Sequence, residues 1–419
     1  MNLKEYGEII LLSTLGIPKF YIKYIQEYIK LELIAKYLKG DLVEQTAQNP
    51  LIPKVNEIME EIEEKLYQNL PNNLPYVKKW YWPNWKDYAL SISHDVDKIS
   101  ESKKHIWKIR KRFSKLTVLK ALLGISNPYK NFKLYAKLEK QYNVRSSFYF
   151  LTDEYKLKKI SKDLKLLQKN HSELALHGGF GSHIDSTQLK NEKEKLEEFI
   201  GEFIYGIRHH FLKFEFPTTW EVQNKVNFLY DTTIGFNDKI GFKNSIAFPF
   251  FSLDHDLNLL PIIEIPLIIM DAVAWTWLKL TEDNVLETIL KVRDIIKQHH
   301  GLLTLLWHQC TLKMRGGRLY PNILKKLIEN SAYIASGVEI AHWWYARNEF
   351  KISIIPKKAE ILINFQNSQN IQNMGLLIKG KQMEIISKTP NIKIIEKLDS
   401  GYKLTFTSGD SGEIRIKRI

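Results

Sequence analysis

Cysteine occurs once in the 419 residues, at Cys310, so no disulfide can staple the chain internally and no cysteine-rich zinc knuckle can form. Long apolar runs are missing too. Nothing approaches the ~20 consecutive apolar residues that a membrane-spanning helix needs. The opening stretch holds only the short patch Ile9-Ile10-Leu11-Leu12, which predicts no secretory signal and a cytoplasmic, reducing location. With 44% hydrophobic and 26% charged residues, 14 Pro and 20 Gly, the composition is neither disordered nor collagenous. Acidic residues are the scarcer charge: 47 Asp+Glu stand against 61 Lys+Arg, a net +14. Solvated lysine faces account for that excess; the sharper reading is attraction to an anionic partner. No zinc-finger or RNA-recognition spacing accompanies the scattered basic residues, so nucleic acid is not expected, and peripheral membrane contact stays open.

Three textures divide the chain. Residues 1–85 read as a helical N-terminal region. Tyr21, Ile22, Ile25, Tyr28, Ile29 and Leu33 recur at helical spacing and predict one amphipathic helix ending at Gly40, with a second over Val55–Leu70. From 86 to 349, short apolar runs (YALSIS, SSFYFL, ELAL, YGIRHHFLKF, IIEIPLIIM, LLTLLW) alternate with lysine-rich amphipathic stretches. That alternation predicts an α/β fold of βα units, a parallel sheet or barrel. Residues 350–419 break into short strand-like runs separated by Gly, Asn, Ser and Asp turns, predicting a small antiparallel β-sandwich.

Polar residues collect where the central runs end. YALSIS leads to His94-Asp95-Val96-Asp97, ELAL to His177, YGI to Arg208-His209-His210, IIEIPLIIM to Asp271 and LLTLLW to His308. In parallel α/β barrels that edge carries the active site. Two carboxylates one residue apart need a cation or a shared proton, and histidines on neighbouring strands favour a cation. Asp oxygen with imidazole nitrogen is a normal zinc set, leaving an open position for water. A carboxylate outside that set can take the water's proton. His177 is the leading imidazole. His183 follows it across the glycines 178, 179 and 181, which would let the loop fold back to one metal; His209 or His210 is its rival, and no stable metal is the third outcome. Arg208 suits bidentate pairing with a carboxylate, and His308 is either a structural histidine or a general acid. His255, His299 and His300 read as surface residues.

In order and content these stretches, from WYWPNWKDYALSISHDVDKI to LLTLLWHQ over roughly residues 80–349, resemble the polysaccharide deacetylase family of the NodB-homology, carbohydrate esterase type. They are closest to a branch with a His-Asp-Val-Asp motif. The resemblance implies a distorted, incomplete (β/α) barrel and metal-dependent removal of N-acetyl groups from an amino sugar. It implies Asp95 as catalytic base, Arg208 as the arginine that positions it, His308 as general acid, and Asp97 and His177 as ligands of a divalent metal, zinc. His183 is taken as third ligand, although the family's usual motif spaces its histidines by three residues and Gly181 occupies that place. Val96 likewise separates aspartates that are usually adjacent.

Trp275, Trp307, His210 and Asp271 are the expected substrate contacts, with Trp220 and Trp277 also near the rim. The implied partner is an amino-sugar glycan or a lipid- or nucleotide-linked precursor. Two other readings compete: a metal-independent hydrolase of C–N bonds in a small cyclic amide, and a catalytically inactive glycan-binding protein. The oligomeric state is not legible.

Overall fold

The computed structural model describes residues 1–380 and 382–418. Its centre is a curled, mostly parallel sheet that runs Phe250–Leu253, Leu259–Glu264, Tyr230–Asp231, Gly206–His209, Glu173–Gly178, Ser147–Phe150, Tyr88–Val96, Leu302–Leu306 and Ile269–Met270, with Ala332–Ile334 also paired to Tyr88–Val96. Only Phe250–Leu253 runs antiparallel to its neighbour. This is the distorted, incomplete (β/α) barrel that the alternation and the motifs predict.

The central strands form where apolar runs are uninterrupted, because a parallel strand covered on both faces has no solvent side. Every residue of Tyr88–Val96 and of Leu302–Leu306 is buried. The covering helices show the complementary pattern. Glu282–Gln298, capped by Thr281, buries Val285, Ile289, Val292 and Ile296 along one stripe and leaves its charged residues outside.

Four expectations change. The helix expected over 21–40 is broken: a 3-10 turn covers Lys19–Tyr24 and the α-helix runs Tyr28–Leu38. Leu31, Ile34, Ala35 and Leu38 form the buried face, so Tyr28 and Ile29 turn outward, 53% and 84% exposed. The run IIEIPLIIM is two strands, because Pro266 has no N–H for a ladder. The side chain of Thr304 bridges the gap, donating to the Pro266 carbonyl and accepting from the Ile268 N–H. Third, Tyr76–Lys79, in the region read as helical, is a strand paired with Met374–Lys379. It completes one of two four-stranded antiparallel sheets at the C-terminal end; the other holds Phe350–Pro356, Glu360–Asn367, Ser411–Arg418 and Met383–Lys388. The ends of two expected strands, at Lys381 and Ile419, lie outside the described residues. Finally, His299 and His300 are not surface groups. His299 is buried and bonded to Glu60, and His300 packs against Trp80 and bonds the Asp87 carbonyl.

Candidate active site

The first strand delivers the carboxylates. Successive side chains of a strand point to opposite faces, so the spacing Asp-x-Asp sends Asp95 and Asp97 the same way and His94 the other. His94 accordingly enters the core, where Nδ1 donates to the Trp307 carbonyl (2.6 Å) and Nε2 meets Glu139 (2.7 Å). Asp95 and Asp97 instead reach one imidazole: His177 Nε2 lies 3.7 Å from Asp95 Oδ2 and 3.3 Å from Asp97 Oδ1.

His177 is held from the other side. Its Nδ1–H donates to the Arg208 carbonyl at 2.7 Å, which leaves the Nε2 lone pair facing the carboxylates. His210 completes the group, with Nε2 4.0 Å from Asp97 Oδ1. The ligand atoms of Asp97, His177 and His210 all lie within 4.8 Å of one another. Asp97 Oδ1 is buried without a hydrogen-bond partner. An orphaned carboxylate oxygen, two imidazoles and a carbonyl fixing one of them make a donor set that fits zinc. Burial opposes ionisation of Asp97, but the His177 contact and the charges of His308, His177 and His210 outweigh it and hold its carboxyl below the usual range. For His177, burial disfavours the charged ring while Asp95 and Asp97 win and raise it. Burial and the neighbouring His177 lower His210, the state in which an imidazole coordinates a metal.

His183, read from the sequence as third ligand, lies outside this group, and His210 stands in it instead. The loop turns at Gly181 (φ 91°), Ser182 Oγ donates to the Gly179 carbonyl, and the His183 ring comes to rest 6.0 Å from that of His209. Strand geometry explains why His210 takes the place. Gly206–His209 ends at His209, whose ring is fully buried; the backbone stays extended through His209 (φ −75°, ψ 138°), so His210, two residues after Arg208, shares its face and meets Asp97.

Arg208 is almost wholly buried. Its Nη1 donates to Asp95 Oδ1 (2.7 Å) and Ser93 Oγ (3.0 Å), its Nε to the Thr232 carbonyl (3.1 Å), and the guanidinium lies 4.4 Å from the Tyr149 ring centre. Ser93, Thr232 and Tyr149 thus fix the arginine that fixes Asp95, and the sequence reading missed all three. Tyr149 carried a signal: in SSFYFL it sits two residues from Ser147, on the same strand face.

His308 follows Leu302–Leu306, which pairs with Tyr88–Val96 on the side away from His177, and its Nε2 lies 3.8 Å from Asp97 Oδ2. Its Nδ1 meets Asp271 Oδ1 at 2.5 Å, and its backbone N–H donates to Asp271 Oδ2 at 3.0 Å. Asp271, read from the sequence as a substrate contact, is buried, and both its carboxylate oxygens are engaged by His308. Burial works against the His308 cation, but Asp271, by charge and hydrogen bond, and then Asp97 and Asp95 push the ring up to about 10.

Trp307 is also corrected. It is fully buried between Tyr320 and Trp275 and belongs to the core, as does Trp220, whose Nε1 donates to Glu264. Trp275 remains at the site, half-buried on the wall of a cleft of about 480 Å³ that reaches Asp97 and His308 and is bordered by Lys111, Arg112 and Arg315. A second cleft, about 750 Å³, meets Asp97 from the side of Glu154 and Lys158.

No family model matches the chain, and no curated protein matches its sequence. Among solved structures, it is similar to a protein described as a polysaccharide deacetylase from Mycobacterium smegmatis, at 16% identity over 67% of this chain and 98% of that one, with a TM-score of 0.48. A protein of the same description from Pseudomonas aeruginosa PAO1 is 14% identical over 63% and 93% of the two chains, TM-score 0.46. A CE4 family pseudoenzyme from Bacillus anthracis is 11% identical over 62% and 66%, TM-score 0.35.

Proposed function

We propose that this chain is a hydrolase that removes the N-acetyl group from an amino sugar of a glycan, or of a lipid- or nucleotide-linked glycan precursor. One observation carries the reading: the Asp97–His177–His210 cluster stands between two buried ion pairs, Arg208–Asp95 and Asp271–His308, all at one sheet edge. Asp97, His177 and His210 would hold a divalent cation, zinc by the character of the donors. When bound, such a cation supplies Lewis-acid polarisation of the amide carbonyl and acidifies water.

The chain's own residues supply the proton steps. Arg208 orients Asp95, and the free Asp95 Oδ2 lies on the metal-site side, placed to take a proton from the attacking water. His308 enters the reaction protonated, since the charge and hydrogen bond of Asp271 raise its ring above the ordinary imidazole range. Its Nδ1 is committed to Asp271, so Nε2 is the atom that passes a proton to the departing amine nitrogen. Water adds to the acetyl carbon, the C–N bond breaks, and the products are acetate and the free amino sugar. The Trp275 indole on the cleft wall offers a face for a sugar ring.

Elemental analysis of the purified protein, then acetate release from a panel of N-acetylated sugars with and without added zinc, tests the proposal. Stoichiometric metal with zinc-dependent acetate release supports it. A metal-loaded protein that releases no acetate from any member, or full activity after metal removal, overturns it.

A further inference from the structure

The segment that follows the first barrel strand exposes far more apolar surface than its packing explains. It folds as a helix, Lys103–Lys108, a 3-10 turn, Arg110–Arg112, and a second helix, Lys115–Leu122. A small core of its own, built on Ile106, Phe113, Val118 and Ala121, ties it to Cys310 and Met314 on the cleft wall. The second helix spends one face on that core. Its other face shows Leu116, Leu119 and, continuing the stripe, Leu123, at 59%, 54% and 62% exposure; in the same segment Ile125 (70%) and Trp107 (55%) are exposed too. Scattered apolar residues on a surface need no explanation, but a helical stripe of this kind marks a contact surface.

Charge identifies the partner. Residues 102–138 hold eleven Lys and Arg and no Asp or Glu. Among the described residues, no ion pair engages those from Lys103 to Lys120. A second copy of this chain would bring like charge against like charge at this face. An anionic bilayer satisfies both features: apolar side chains enter the headgroup boundary while flanking lysines extend to lipid phosphates.

We propose that residues 103–125 are a membrane-docking element that lays Trp107, Leu116, Leu119, Leu123 and Ile125 into the surface of an anionic bilayer. Lys111 and Arg112 of the same element border the cleft at Asp97 and His308, so docking brings the cleft close to the lipid surface. The consequence for substrate, an amino sugar carried on a lipid phosphate, rests on the deacetylase reading; the docking itself does not.

Flotation of the full chain with vesicles tests it without any enzymatic readout. Vesicles of phosphatidylcholine with phosphatidylglycerol as about a third of the lipid should carry the protein, and phosphatidylcholine alone should not. L116S/L119S/L123S, all at exposed positions, should keep the thermal midpoint and weaken binding at least ~10-fold. K115E/K120E is the second variant and should weaken it comparably. No binding to the anionic vesicles overturns the proposal, and so does binding that survives L116S/L119S/L123S, since charge alone would then hold the protein. A dimer in light scattering that the triple leucine variant returns to monomer also overturns it, in favour of a second copy on this face.

Discussion

His177 and Arg208 stand opposite each other on adjacent parallel strands, and the His177 Nδ1–H donates to the Arg208 carbonyl at 2.7 Å. One residue thereby serves both halves of the site. The Arg208 backbone orients an imidazole toward Asp97, and its side chain orients Asp95.

The first prediction concerns the ligand set. Asp97→Ala, His177→Ala and His210→Ala should each lose stoichiometric zinc, whereas His183→Ala should retain it, because only the first three bring their ligand atoms within 4.8 Å of one another. Metal content of each purified variant, with circular dichroism to confirm folding, is the measurement. Zinc lost in His183→Ala but kept in His210→Ala would reverse the assignment.

This exchange of histidines shows where sequence reading reaches and where it stops. That Asp95, Asp97, His177, Arg208 and His308 would meet at one sheet edge was legible because each stands at the end of a strand that an apolar run names, and strand ends converge. Alternation also separates His94 from the two aspartates. Which of His183, His209 and His210 joins them depends on how the loop turns at Gly181 and on whether the backbone stays extended through His209, and a run such as YGIRHHFLKF does not mark where its strand ends. Trp307 and Asp271 were misplaced for a related reason. Both sit at the right edge, but only packing tells a buried wall or a positioning carboxylate from a group that meets substrate. The strands Tyr230–Asp231 and Ala332–Ile334 escaped notice because two or three residues carry no readable period.

Arg208→Met should impair both stability and catalysis. It leaves Asp95 buried without its guanidinium, and removing one partner of a buried ion pair costs about 3–5 kcal/mol. The turnover of the folded fraction should fall roughly 10²–10³-fold, since Asp95 loses its orientation. Arg208→Lys should not restore it: an ammonium cannot reach Asp95, Ser93 and both Thr232 oxygens from one plane. Denaturant titration and steady-state kinetics on both variants decide this. A lysine variant with native kcat would show that charge alone suffices.

His94, although it belongs to the same four-residue motif, should behave as a core residue. Its ring links Glu139, which also accepts from Ser146 and Tyr320, to the Trp307 carbonyl. His94→Ala would leave a cavity and a buried carboxylate short of a partner, so stability should drop by about 2–4 kcal/mol. Bound zinc per folded molecule should be unchanged, because no ligand atom moves to the other strand face. Loss of metal in a variant that still folds would make His94 part of the site.

The last prediction is the pH dependence that the Asp271–His308 pair builds in. In the folded, metal-free chain the His308 ring titrates at about 10, against 6.5 unperturbed. A raised value means that the charged ring stabilises the fold. That contribution is complete below 6.5, declines as pH rises, and is gone once pH passes about 10. Asp271→Asn removes the strongest favourable partner, so the ring should titrate closer to its ordinary value and the stability deficit of the variant should be largest on the acid side of this window. In the active enzyme the alkaline limb of kcat/KM should move to lower pH, and kcat should fall roughly 10²-fold as the general acid loses its orientation. His308 ring chemical shifts followed by NMR across the window, together with the two pH–rate profiles, provide the check. An unmoved ring titration in Asp271→Asn would show that Asp97 and Asp95, not Asp271, set the proton on His308.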